Sequence, residues 1–308
     1  MRLFQAAVLL AFSLSLLNTA MGQTRTTAER LGYPRDAKLL IIHADDLAVA
    51  HSEDMASFDA LNRHAVTSAS IMVPCPWLTE VAEYAKAHPD ADLGLHLTVT
   101  SEWKTYRWGP VASKGKVPSL LDGDGYLWPE NEPATRNIKA EDAEREIRAQ
   151  IEKAMAMGIH PTHVDSHMGE FFERPDLFAV YLKVAHEYKL PFLAALTPNV
   201  SKAMTSQLSP GDVVLDNVLM AYPETVTADW KTFYLNSIKN LKPGVTELIV
   251  HLAHDDSEMQ AITVDHPDYG AAWRQRDYNV ITSAEFKQAL EENHVILIHW
   301  SDIKKLIQ

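Results

Sequence analysis

Cysteine is nearly absent: Cys75 is the only one in 308 residues, so no internal disulfide can form and stability must come from a packed core. Long apolar runs are equally scarce. The one such stretch, from about Ala6 to Leu17, follows Arg2 and is far shorter than the roughly 20 residues a membrane-spanning helix needs. With small residues at Ala20 and Gly22 behind it, this segment reads as a signal peptide over residues 1–22. The mature protein, beginning near Gln23, is then expected to be secreted or periplasmic and to have no membrane contact. The chain also lacks a Gly/Ser linker or a charge run that would divide it, so residues 23–308 are expected to form one domain. Basic residues are outnumbered, with 28 Lys and Arg against 41 Asp and Glu and a formal charge of −13. That balance argues against nucleic acid or an anionic membrane as partner. No Gly-rich phosphate loop or Arg cluster is present to hold a phosphate substrate.

What the chain does contain is alternation. Short β-branched or apolar runs near Lys38–Ala44, Ser68–Val73, Leu93–Leu97, Thr162–Asp165, Pro191–Ala194, Thr246–Val250 and Val295–Ile298 read as strands, with a fainter one at Asp212–Leu215. Helical periodicity appears between them, in Glu53–Arg63, Trp77–Ala87, Ala140–Met157, Pro175–Tyr188, Ala228–Asn240 and Ser283–Glu292. Ser52 and Ser283 are expected N-caps, and Gly158 an expected C-terminal stop. The pattern predicts an α/β fold of the β/α-barrel kind, irregular or seven-stranded, with a doubly wound open sheet as the alternative. Thr98–Lys139 and Leu252–Thr282 fit neither element and read as long loops, which are more often functional than idle.

Four of these strands run into ionisable residues: Asp45 and Asp46, His96, His167, and His251. In β/α folds the carboxyl ends of the strands carry the active site, so residues scattered in sequence are expected to meet there. Any one of them alone has an ordinary explanation, such as a capping Asp or a hydrogen-bonded His. Four strand ends together are harder to explain that way. Two imidazoles and a carboxylate make a competent divalent-metal site, suited to Zn, Fe, Co, Ni or, less comfortably, Mg. The second carboxylate of the pair can act as base and a further histidine as acid. His43 and His163 share strand faces with Asp45 and His167, and are read as partners of the ligands or as packing. Asp165 on the same face can orient His167 or another imidazole. Trp103, Tyr106 and Trp108, with Lys104 and Arg107, either stack on a sugar or anchor their loop. His266 and Arg274 are read as structural rather than functional.

The segments LLIIHADDLAVA (Leu39–Ala50), VTSASIMV (Val66–Val73), LGLHLT (Leu93–Thr98), PTHVDSH (Pro161–His167) and TELIVHLAHDD (Thr246–Asp256) resemble, in order, those of the YdjC family of carbohydrate deacetylases, also called chitooligosaccharide deacetylases. The resemblance implies a barrel-like fold and removal of acetyl groups from N-acetylated sugars or short oligosaccharides. It also implies one divalent ion, with Zn or Mg the first candidates, held by Asp46, His96 and His167. Asp45 would be the general base and His251 the acid. The chain departs from the family in having His43 where Asn is common and Met168-Gly169-Glu170 where further histidines follow. Leu252-Ala253-His254 replaces a Pro-Gly pair, so His254, Asp255 and Asp256 are expected at the mouth of the site. The expected partner is a carbohydrate substrate, with a second copy of the chain also admissible. A glycosidase using the paired carboxylates and a non-catalytic exported carbohydrate-binding protein are the alternatives.

Overall fold

The computed structural model describes residues 25–195, 202–224 and 229–307. The expected signal peptide lies outside them. Among the described residues, seven strands are β1 (Lys38–Leu47), β2 (Ser68–Ile71), β3 (Leu93–Leu97), β4 (Val164–Ser166), β5 (Asn217–Met220), β6 (Gly244–Val250) and β7 (Val295–Leu297). All pair in parallel, in the order β4-β3-β2-β1-β6-β5, with β7 alongside the first residues of β1. The first helices are α1 (Thr27–Arg30), α2 (His51–Asn62), α3 (Leu78–Ala87), α4 (Asn131–Asn137), α5 (Ala140–Ala156) and α6 (Pro175–Tyr188). They are followed by α7 (Lys202–Thr205), α8 (Trp230–Lys239), α9 (Ser257–Ile262), α10 (Ala271–Ile281), α11 (Ala284–Glu292) and α12 (Trp300–Lys304). None is long and apolar enough to cross a membrane.

The sheet curls into a half-barrel wrapped by helices, and the alternation within β1 shows how its faces divide. Leu40, Ile42 and Ala44 pack with helix residues such as Phe58, Leu78, Ile147 and Tyr181. Leu39 and Ile41 face the barrel axis, in a second cluster with Leu215, Val245 and Trp300. The next two residues on the axial face are His43 and Asp45, so the interior changes from apolar to polar toward the carboxyl ends of the strands.

Three local expectations are corrected. Pro191–Ala194 and Asp212–Leu215 contribute only isolated bridges, Val164 with Phe192 and Ala195 with Leu215, and the strand on that side is β5. Asp216 explains the late start: its N–H donates to the Val245 carbonyl at 2.9 Å and its carboxylate accepts from the Val245 N–H at 2.8 Å, so pairing with β6 begins only there. Ser52 does not cap α2, whose N-cap is Ala50; instead the Ser52 N–H is satisfied by Glu258 from α9 at 2.8 Å. The two long loops are also structured: 98–139 holds α4 and two short 3-10 turns, and 252–282 holds α9 and α10. α10 escapes pattern reading because it buries Arg274 and Asp277 beside Trp273, which breaks the apolar stripe. Ser283 does cap α11, accepting from the Phe286 N–H at 3.2 Å, and Gly158 follows α5 at φ +86°.

Candidate active site

A regular strand points neighbouring residues to opposite faces, so Asp45 and Asp46 would diverge. They do not, because the register of β1 against β2 slips between Ala44 and Leu47, and Asp46 and Ala48 take φ of +71° and +77°. This bulge turns both carboxylates into one cavity of about 880 Å³, together with His96, His167 and His251. All five residues expected at the site therefore meet.

Within it, Asp46, His96 and His167 are buried and bring one donor atom each to a common point. Asp46 Oδ1 lies 3.4 Å from His96 Nε2 and 3.4 Å from His167 Nδ1. It is a buried oxygen without a hydrogen-bond partner. Donors bound to Zn at about 2.0–2.1 Å and at the tetrahedral angle lie roughly 3.3–3.4 Å apart, so spacing and donor type both fit a divalent ion. Two other buried groups, His43/His163/Asp165 and Asp45/His96/Asp165, are also close enough. Both depend on Asp165, whose oxygens are already engaged by His96 Nδ1 at 2.7 Å and His43 Nε2 at 3.0 Å.

Each member of the trio is held from behind, as metal ligands usually are. Asp165 orients His96 rather than His167. His167 Nε2 is 3.0 Å from Glu102, and Asp46 Oδ2 accepts from Arg274 at 2.8 Å, leaving Oδ1 to the common point. Arg274 also donates to Glu53 at 2.6 Å. Asp45 is fixed through Oδ1, which lies 3.1 Å from His43 Nε2 and accepts from the Ser70 hydroxyl at 3.3 Å. Its Oδ2 lies 3.8 Å from His96 Nε2. His251 Nε2 is 4.0 Å from Asp46 Oδ2, with its ring against Tyr269.

The electrostatics favour a cation at the centre. Burial works against a charged His167, yet Glu102 and Asp46 outweigh it and raise the group to about 10. Burial likewise opposes a charged His96, and Asp45 with Asp165 raises it nonetheless. For Asp46, burial would raise the carboxyl, but Arg274 and His167 hold it well below the usual range. A site that draws protons onto two imidazoles draws a metal cation for the same reason. His251 differs: burial lowers it to about 4.

Other expected residues take supporting places. Trp108 donates to the Thr100 carbonyl at 2.8 Å and the Tyr106 hydroxyl to that of Val49 at 2.7 Å, so both anchor their loop. Only Trp103 of the three borders the cavity. Arg107 pairs with Asp122 and Lys104 with Asp265. His163 is stacked on Trp300, away from the cavity. His254 packs on Tyr278 and Asp256 caps α9, so neither they nor Asp255 line the cavity. Arg274 and His266 do line it, contrary to their structural reading. Glu102 and Glu53 had no strand-end signal: one lies in the loop after β3, the other inside α2.

The sequence profile described as YdjC-like protein matches residues 39–292. A carbohydrate deacetylase of Thermus thermophilus is 32% identical over 294 residues, covering 91% of this chain and 98% of that protein. A chitooligosaccharide deacetylase of Yersinia enterocolitica is 30% identical over 160 residues, 50% of this chain and 58% of its own. Among solved structures, a protein of Enterococcus faecalis V583 described as a putative cellobiose-phosphate cleavage protein superposes with a TM-score of 0.76 at 26% identity, covering 87% of this chain and 99% of that one.

Proposed function

The chain belongs to the YdjC-like protein family, and we propose that it is a metal-dependent hydrolase removing acetyl groups from N-acetylated sugars or short oligosaccharides. The observation that carries the metal is the orphaned Asp46 Oδ1, set 3.4 Å from an imidazole nitrogen of both His96 and His167. The deacetylase reading is supported by relatives of that name over nearly the whole chain. Asp46, His96 and His167 would hold the ion. A bound divalent cation would supply polarisation of the amide carbonyl and a more acidic water.

The protein's own groups do the rest. Asp45, with Oδ1 tied to His43 and Ser70, keeps Oδ2 on the His96 side to take a proton from water. His43 and Asp165 fix that carboxylate and the His96 ring together. His251, neutral in the resting site, would receive the proton that Asp45 took from water and pass it to the departing amine, so that the one water supplies both the acetate oxygen and the amine hydrogen. Arg274 keeps Asp46 ionised and aimed. Export belongs to the same proposal and rests on the N-terminal apolar run.

The test is acetate release from N-acetylated mono- and oligosaccharides by the purified protein with several divalent metals. Release that disappears on chelation supports the reading. Reducing-end release without acetate would mark a glycosidase, and sugar binding without turnover a binding protein.

A further inference from the structure

The cavity has two unlike halves. Its acidic and imidazole groups come from β1, β3 and the loop after it, and the residues that follow β4 and β6, with the guanidinium of Arg274 from α10. The other half is mainly aliphatic: Leu193 and Ala195 come from the bridging segment, Leu208 from the turn after α7, Val218 and Met220 from β5, and Ile249 from β6, with Thr205 and Asn217 among them. It begins beside the chemistry, since Ile249 is two residues before His251 on the same strand face, and Met220 pairs with Ile249 across the sheet.

Axial aliphatics elsewhere in the half-barrel are filled in by neighbours. Leu39, Ile41 and Val245 are completely buried. Val218, Met220 and Ile249 are only partly so, on the side where the sheet closes by isolated bridges. Aliphatic surface that stays partly exposed among the described residues, inside a cavity continuous with polar reacting groups, suits a ligand with one polar and one apolar end. A plain sugar, with hydroxyls on its rim, leaves such a wall unused and loses hydrogen bonds against it.

We propose that the substrate is an amphipathic N-acylated glycoside, whose apolar portion lies on the Leu193–Val218–Ile249 wall while its amide meets Asp45 and His251. This rests on the hydrolase reading above and adds the substrate class. The apolar portion is either the group on the anomeric oxygen or an acyl chain longer than acetyl, and both are tested.

Calorimetry and turnover are compared for the methyl and octyl β-glycosides of N-acetylglucosamine, and for methyl β-glycosides of N-acetyl- and N-octanoylglucosamine, using the full metal-loaded protein. Each methylene buried is worth roughly a factor of four, so at least a tenfold gain in affinity and in kcat/KM is expected for the octyl glycoside or for the octanoyl amide. Whichever gains identifies the source. In Met220→Asn and Ile249→Asn the long-to-short ratio should fall below about threefold; a ratio is unaffected by the fraction of protein that folds. If neither long ligand binds more tightly than its short counterpart, the proposal is overturned. Acetate release in that case leaves the hydrolase reading intact, whereas tight octyl binding without any hydrolysis would support the wall and fail the reaction.

Discussion

Replacing Arg274 by Met tests the electrostatic frame of the site. The guanidinium is 2% exposed and donates to Glu53 at 2.6 Å and Asp46 at 2.8 Å, whose side chains are 0% and 4% exposed. Methionine matches its length but strips Glu53 of its counter-charge and leaves Asp46 with only the neighbouring imidazoles. Removing one partner of a buried pair typically costs about 3–5 kcal/mol, and that is the loss expected in urea denaturation at pH 7 in chelator, where no metal contributes stability. The loss should depend on pH. Burial already holds Glu53 well above its usual value despite Arg274, and loss of the guanidinium moves both carboxyls further upward, so the variant's folded state tolerates them better when protonated and the defect shrinks as pH falls toward 5. Glu53→Leu in the Arg274→Met background should recover at least about 1 kcal/mol, because one of the stranded charges is gone. A loss under about 1 kcal/mol at pH 7, or one that does not change with pH, would refute the account of Arg274 as the counter-charge of the site.

Three further outcomes are expected. Gly94→Ala should destabilise by about 1–3 kcal/mol in the same denaturation assay, because a Cβ there would lie 2.3 Å from the buried His163 ring; an unchanged midpoint would show that the ring moves freely. Glu102→Gln, which weakens the carboxylate behind His167, should lower divalent-metal affinity roughly 10–100-fold by calorimetry, and unaltered affinity would remove Glu102 from the site. Burial lowers His163 from 6.5 to about 3, so the unfolded chain takes up a proton that the folded one refuses. Its stability contribution is complete above 6.5 and is lost as pH falls toward 3, at up to about 1.4 kcal/mol per pH unit. His163→Phe should flatten the stability profile over that window, and parallel profiles would contradict it.

The strands that carry the site were legible because each ends in a residue that does not belong in a core, after a compact apolar run for Asp45, His96 and His251 and after the mixed run Thr162–Asp165 for His167. The closing side of the barrel was not. Phe192 and Leu215 lie in strand-like runs, but single bridges and the Asp216 side chain replace a ladder there, and β5 follows with little alternation of burial. The bulge at Asp46 was equally hidden, since a positive φ at Asp leaves no mark of the kind a glycine would. Arg274 and Glu102 were missed as members of the site for a common reason. Both arrive from segments whose helix or loop pattern is broken by the polar residues they bury, and tertiary pairing alone makes them functional.

Two adjacent carboxylates take separate roles in the proposed reaction, Asp46 as ligand and Asp45 as base, and one paired measurement tests that separation. Metal content per chain and acetate release from N-acetylated sugars are determined for Asp45→Asn and Asp46→Asn, each purified and loaded identically. Asp45→Asn should keep one divalent ion per chain with acetate release reduced at least about 100-fold, and Asp46→Asn should lose the ion. Full activity in Asp45→Asn, or wild-type metal content in Asp46→Asn, would contradict the account.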